Sequence, residues 1–363
     1  MSAESPCGVV PVTRSAWAAF VLVAALVLAG CQRSPQSGRG AIDRAAGFQV
    51  RGASIIGPNG RPFLAHGVDR PSLEWNPQGE HLSLADFQRM AAWGANTVRL
   101  SLNQDFWLST SCQYAPGYAA RVRQAVAWAR QAGITVVILD LHWSDRGADQ
   151  DGPCTVTPAQ QPMADANSLS FWRQVATTFR NDPYVWFELY NEPHSIPWST
   201  WRNGGVVTTD GASWRAAGMQ QLYDAVRSTG ARNLVLVGGL GWAGTLAGGL
   251  PTYALTGFNV AYTVHAYYHG SGSTDPISAW EGAFGFAAAR YPVVATEFGT
   301  TNCSATFVRN FIAYANAHAV GWTAWAWYPG GCGFPSLISN WSGTPTRMGL
   351  AVRQALLAAS RRA

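Results

Sequence analysis

"VWFELYNEP", residues 185–193, is an apolar run that carries one acid and closes on an amide, a carboxylate and a proline. Val185, Trp186, Phe187, Leu189 and Tyr190 give it the near-continuous apolar character of a strand buried on both faces, as in a parallel sheet covered by helices. Glu188 interrupts the run, Asn191 and Glu192 follow it, and Pro193 ends any further pairing. A carboxylate at the edge of an apolar core is costly unless it has a partner or a task. The chain holds seven Glu in 363 residues, and Glu297 closes a second apolar run, "VVATEFGT" at 293–300.

Working outward from these two runs, strands and helices alternate. "FQVRGASIIGPNGRPFLAHGVD" (48–69) reads as a small hairpin turned at Pro58-Asn59-Gly60, leading into a first strand at Leu64–Val68. Further strands are expected at 96–102, 134–142, 184–192, 233–239, 260–267, 293–299 and 321–328. Helices fall between them at 84–94 (capped by Ser83), 118–133, 168–182, 213–230, 277–291 and 304–319, with a closing helix at 348–360. The link 239–259 is Gly-rich and has no evident helix, and 144–168 and 195–213 are the longer loops. Eight strand–helix repeats in one chain of this size predict an α/β fold, a single (β/α)₈ TIM barrel over residues 48–363 with a short N-terminal β-hairpin. A doubly wound open sheet fits less well, because no Gly-rich phosphate loop follows the first strand.

In such a barrel the C-terminal ends of the strands form the site. The second strand carries Arg99; the third ends in Asp140-Leu141-His142; the fourth in Asn191-Glu192; the sixth in His265-Ala266-Tyr267; the seventh in Glu297; the eighth carries Trp325 and Trp327. Two carboxylates facing each other across a barrel mouth are the equipment of glycoside hydrolysis. The set Arg99, His142, Asn191-Glu192-Pro193, His265-x-Tyr267, Glu297-Phe298-Gly299 and Trp325, in this order, resembles glycoside hydrolase family five of clan A, the cellulase family. The resemblance spans roughly residues 48–358 and implies a retaining mechanism, with Glu192 as acid/base and Glu297 as nucleophile. Arg99 and Tyr267 are suited to hold Glu297 as a carboxylate, His265 to orient Glu192, and Asn191 to bond the sugar 2-hydroxyl. A drier setting is expected for Glu192, since an acid must begin protonated and burial favours that form. His142 is read as a sugar-hydroxyl ligand and Trp325 as the platform for a pyranose ring, with Trp327 the other candidate. Glu188 is read as a structural buried acid with a partner, and Asp140 as a brace near the rim. Trp75, Trp107, Trp143, Trp198, Trp201 and Trp242 fall in rim loops, and some of them should line a glycan cleft.

The resemblance points to an endo-acting β-1,4-glucanase, with mannan, xyloglucan and other β-glycans as alternative substrates. A non-catalytic, lipid-anchored glycan-binding protein is a reading of another class; retention of both acids argues against it. The composition agrees with a folded protein that offers flat apolar surfaces: 12% charged residues, 12% aromatic and 17 Trp. The net charge of +5 comes from scattered Arg, with no Lys and no basic run, so no nucleic-acid partner is expected. No Cys/His spacing suggests zinc, and neither metal nor cofactor is expected; the protein is read as a monomer.

Residues 1–30 read as a signal peptide, with Arg14 ahead of the apolar stretch "AWAAFVLVAALVLAG" and "LAGC" (28–31) resembling a bacterial lipobox, which makes Cys31 the expected lipidation site. Residues 31–47 then form a polar tether, and Gln32 after the cysteine resembles lipoproteins sent to the outer membrane. Export with a lipid anchor as the sole membrane contact is therefore expected, with simple secretion as the alternative. Beyond Cys7 and Cys31 four cysteines remain, and four allow three connectivities. Cys112 and Cys154 follow the second and third strands, Cys303 and Cys332 the seventh and eighth. Loops on adjacent strands are neighbours, which predicts the bridges Cys112–Cys154 and Cys303–Cys332.

Overall fold

A computed structural model of the chain describes residues 47–147, 154–268 and 277–362. The proposed signal peptide, Cys31 and the tether up to residue 46 lie outside the described residues.

The chain enters through β1 (Gln49–Arg51) and β2 (Ser54–Ile56), an antiparallel pair. Eight parallel strands follow: β3 (His66–Arg70), β4 (Thr97–Asn103), β5 (Val136–Trp143), β6 (Val185–Glu188), β9 (Val235–Gly238), β10 (Val260–Tyr268), β11 (Val293–Thr300) and β12 (Gly321–Ala324). They close in that order, β12 pairing back onto β3. The expected (β/α)₈ barrel is the observed fold. Around it lie α1 (Leu84–Ala92), α2 (Gln104–Trp107), α3 (Tyr118–Gln131), α4 (Asn167–Phe179), α5 (Trp198–Asn203), α6 (Met219–Arg227), α7 (Ile277–Trp280), α8 (Phe286–Ala288), α9 (Ala305–Ala317) and α10 (Arg347–Ser360), with a π-helical turn at Glu281–Gly285. Between β6 and α6 the chain forms a second antiparallel pair, β7 (Gly205–Thr209) and β8 (Ala212–Ala216).

Local chemistry fixes these elements. Ser83 caps α1, its hydroxyl accepting from the Asp86 amide at 3.3 Å, and Phe87 and Met90 turn inward. Thr346 does the same for α10 through the Gly349 amide at 3.0 Å. Inside the barrel, Ile138, Trp186, Leu236 and Val294 form an apolar lower layer, closed from below by Phe48 and Ile55 of the entering hairpin. The Phe48 ring meets Trp186 edge-on at 5.1 Å between centroids. The hairpin thus plugs the end of the barrel opposite the strand termini.

Four boundaries differ from the sequence reading. The first hairpin turns at Gly52-Ala53, where Gly52 takes a φ of 58°; Pro58–Gly60 makes a second turn after it. The fourth strand leaves regular pairing after Glu188. Beyond it the Leu189 amide bonds Leu236 on one side and the Asn191 amide bonds Leu141 on the other, so the chain folds over the mouth. Gly238 permits this, since a Cβ there would lie 3.1 Å from the Tyr190 carbonyl oxygen. The eighth strand ends at Ala324, and the Trp325–Ala326 peptide is cis. Finally, residues 213–216 belong to β8, so the helix expected from 213 begins at Met219. The β7–β8 turn, Asp210-Gly211, has φ of 51° and 77°, the signature of a type I′ hairpin.

Disulfides join Cys112 to Cys154 and Cys303 to Cys332, the two pairs expected. Three acids form a buried cluster: Asp105 in α2, Asp145 after β5 and Asp165 before α4, none more than 1% exposed. Gln104 Nε2 donates to Asp165 at 2.7 Å and to Asp145 at 3.3 Å. Asp165, just before α4, also accepts from the Asn167 amide at 2.7 Å. Burial, then the charges of Asp145 and Asp165, push the Asp105 carboxyl up to about 9, and burial pushes Asp145 up to about 7.

Candidate active site

Polar side chains begin one layer above the apolar plug. Arg99, fully buried, projects from β4 into the barrel axis. Its Nε donates to Glu188 at 2.6 Å, Nη1 to Glu297 at 2.6 Å and Asp69 at 3.3 Å, and Nη2 to Asn191 Oδ1 at 2.6 Å, with Asp140 3.0 Å from Nη2. Burial works against this cation, but Asp140, Glu188, Glu297 and Asp69 outweigh it and hold the guanidinium well above its usual range. Glu188 is fully satisfied, since Thr263 and Thr296 donate to its other oxygen at 2.8 and 2.6 Å. Asp69 is pushed well above the carboxylate range by burial, with the neighbouring acids adding to the effect and Arg99 opposing it.

Thr296 and Glu297 are consecutive, yet both reach the barrel interior. In a regular strand neighbours face opposite ways. Here Val264 of β10 pairs with Ala295, but His265 pairs with Glu297, so Thr296 is an extra residue in β11. This β-bulge re-aims Glu297 into the mouth. A second register shift, between β4 and β5, falls at His142.

Glu297 lies on the cavity floor, its second oxygen accepting from the Tyr267 hydroxyl at 2.6 Å. Glu192 reaches over the opening, with His265 Nδ1 2.8 Å from its Oε1 and 3.5 Å from Glu297. One ligand atom from each of Glu192, His265 and Glu297 lies within 4.8 Å of the others; among the described residues this is the one group arranged to meet a cation. Burial lowers both His265 and His142 to about 4, so each imidazole is neutral near pH 6. His142 Nδ1 stands 2.7 Å from Asp140, and Asn191 Nδ2 donates towards its Nε2 at 3.4 Å. The His142 ring runs nearly parallel to Trp325, at 12° and 5.6 Å.

These groups line one open cavity of about 700 Å³, together with Trp242, Phe334 and Pro335. Trp242 is 51% exposed, and its ring lies flat on His194 at 3.5 Å. Beyond Phe334 an aromatic wall continues through Tyr328, Trp75 and Trp143. Glu80 ties it together, accepting from Trp75 Nε1 at 2.8 Å and the Tyr328 hydroxyl at 2.6 Å.

The sequence pattern of the family Cellulase (glycosyl hydrolase family 5) matches residues 56–331, most of the chain. The chain belongs to glycoside hydrolase family 5. Within the curated proteins it is 23% identical over 295 residues to Endoglucanase C of Evansella cellulosilytica, covering 75% of this chain and 34% of that protein. It is 27% identical over 228 residues to a manganese dependent endoglucanase of Phanerodontia chrysosporium, covering 61% and 49%. The chain therefore spans between about a third and half of the length of these relatives. In fold it is similar to a β-glucanase from Saccharophagus degradans, with a TM-score of 0.69, 24% identity, and coverage of 87% of this chain and 94% of that one.

For a family 5 chain, the placement of the expected residues is clear. Arg99, His142, Asn191, Glu192, His265, Tyr267, Glu297 and Trp325 come together; all but Arg99 line the cavity, and Arg99 lies directly below. Trp327 does not: it is fully buried and donates to Asp86 at 2.8 Å. Of the six rim tryptophans, Trp242 lines the cavity, whereas Trp107 and Trp201 are core residues. The expected drier setting of Glu192 is reversed. Its side chain is 19% exposed against 5% for Glu297, because the floor is built around Arg99 and Glu192 hangs over it from an irregular segment. Asp69, His194 and Gln160 were not found from the sequence. Asp69 had a signal, as a lone acid in an apolar strand; Gln160 sits in a loop with no periodicity to mark it.

Proposed function

We propose that the protein is a retaining endo-β-glycanase acting on β-1,4-glucan. One observation carries this: carboxylate oxygens of Glu192 and Glu297 lie within 4.8 Å across an open cavity. Retaining enzymes hold their two carboxyls about 5–5.5 Å apart, while inverting enzymes need about 6.5–9.5 Å to admit a water. Glu297 attacks the anomeric carbon as a carboxylate, and Glu192 gives its proton to the departing glycosidic oxygen. In the second step Glu192 takes a proton from water, whose oxygen displaces Glu297 and frees the sugar. Arg99 and Tyr267 stabilise the Glu297 charge before attack, and neutral His265 orients Glu192. Asn191 meets the sugar 2-hydroxyl, His142 binds further hydroxyls, and Trp325 carries the ring. The glucan preference is supported by relatives named as endoglucanases and by the cellotetraose complex of the Saccharophagus degradans β-glucanase.

The test is reducing-sugar release from carboxymethylcellulose, barley β-glucan, xyloglucan, glucomannan and xylan, with NMR of the first anomer formed. Activity greatest on the first two, with a β-anomer, is expected. An initial α-anomer would replace retention by inversion, and no release from any polymer would favour a glycan-binding protein. The motif at 28–31 supports export and a lipid anchor at Cys31, with the barrel tethered to a membrane, in the outer membrane by the Gln32 rule. Cys31→Ala should move activity to the soluble fraction or block processing. A wild-type protein that is wholly soluble, with a mature N-terminus other than residue 31, would establish simple secretion.

A further inference from the structure

Asn191 and Glu192 are adjacent in sequence but must be aimed at different parts of one sugar. Both are touched by a single side chain, Gln160, from the loop that follows Cys154. Gln160 Oε1 accepts from Asn191 Nδ2 at 2.8 Å, while Gln160 Nε2 donates to the Glu192 carbonyl at 3.1 Å and the Gln161 carbonyl at 3.0 Å. We propose that Gln160 is a positioning residue that presents the Asn191 amide to the 2-hydroxyl of the sugar undergoing reaction. The inference rests on the retaining-glycanase reading above.

The argument is one of satisfiability. Arg99 has only donors, so the atom of Asn191 at 2.6 Å from it must be the carbonyl oxygen. Asn191 Nδ2 then faces Gln160, whose near atom must be an acceptor. Gln160 is fixed in turn, because its Nε2 faces two backbone carbonyls, which only accept. Flipping either amide would set like poles against each other. Asn191 Nδ2 has two hydrogens. Gln160 takes one; the other points toward His142 Nε2 at 3.4 Å, too long for a strong bond. Both Asn191 and His142 line the cavity, so this second hydrogen is the one open to a substrate hydroxyl. The Glu192 carbonyl is gripped from its other side by His194 Nδ1 at 2.9 Å. Without Gln160 that second grip remains, so the loss should fall mainly on Asn191.

The experiment compares an aryl β-cellobioside with its analogue lacking the 2-hydroxyl on the reacting sugar. Values of kcat/KM are measured for wild type, Gln160→Ala and Gln160→Glu, with thermal unfolding as a check on the fold. Gln160→Ala should lower kcat/KM on the hydroxylated substrate about tenfold, chiefly in kcat, the weight of one hydrogen bond at the reacting centre. It should change the 2-deoxy substrate by less than threefold, an order-of-magnitude bound on the same basis. Gln160→Glu keeps an acceptor for Asn191 but sets its second oxygen against the Glu192 and Gln161 carbonyls, so it should restore only part of the preference for the 2-hydroxyl. Equal losses on both substrates, or an unchanged preference in Gln160→Ala, would overturn the proposal while leaving the glycanase reading intact. A wild type that turns over neither substrate would remove both.

Discussion

Asp105→Asn should make the protein more stable, and increasingly so as pH rises. Folded, Asp105 keeps its proton up to about 9, held there by burial and by Asp145 and Asp165. Unfolded, it loses that proton near pH 4. Between those values the folded state binds more protons than the unfolded state, so stability falls with rising pH, by at most ~1.4 kcal/mol per pH unit for one proton. The loop can relax, and Asp145 shares the burden, so we expect a smaller total, about 2–4 kcal/mol by pH 8. Asparagine removes the ionisation and keeps an N–H to donate to Asp145. The variant and wild type should unfold together near pH 4, and the variant about 4–8 °C later at pH 8, taking about 2 °C per kcal/mol for a domain of this size. Circular dichroism melts from pH 4 to 9 measure the difference. A difference that does not vary with pH, or a variant less stable at pH 8, would refute the reasoning.

Glu297→Gln should abolish turnover of every substrate, whereas Glu192→Gln should spare the first step for aryl glycosides whose leaving groups need no proton; near-normal activity in Glu297→Gln would reject the nucleophile assignment. Trp325→Ala should lower kcat/KM on cello-oligosaccharides tenfold or more, at least ~1.4 kcal/mol, with KM rising; Trp327→Phe should instead lower the melting temperature, because one buried oxygen of Asp86 loses its donor while Arg70 still holds the other. Replacing Cys303 and Cys332 together by Ser should cost about 2–4 kcal/mol in denaturant unfolding, through the loop the bridge closes.

What could be read in the sequence follows from the period of the signal. Glu188, Glu192 and Glu297 stand out because they break apolar runs, and Glu188 shares strand parity with Glu192, which aims it inward; that its partner is Arg99 is visible only in the fold. The β7–β8 hairpin carried its own mark, Asp210-Gly211 between Val206-Val207 and Trp214, but Ser213–Ala216 also fits a helix start, and tertiary pairing decided between them. Three features had no local mark at all. A β-bulge is one residue of excess against a partner strand, visible only when both strands are paired. The exposure of Glu192 depends on where the chain bends after Glu188. The hold of Gln160 on Asn191 joins a loop to a strand end through side-chain atoms alone.

The extra residue in β11 ties the chemistry to a count. Thr296 serves the layer below through Glu188 and Glu297 serves the cavity above, and one strand can do both only because it is a residue longer than its neighbour at that point. Exchanging Thr296 for Ser or Val alters one contact. Deleting it restores strict alternation, and the carboxylate of the next residue then takes the inward place of Thr296, so Glu188 loses one of its two hydroxyl donors and the strand no longer serves both layers. The site therefore tolerates changes of letter better than changes of length. An in-frame loss of a single codon at 296 should weaken the support beneath the site while leaving every residue assigned to the reaction still present in its sequence.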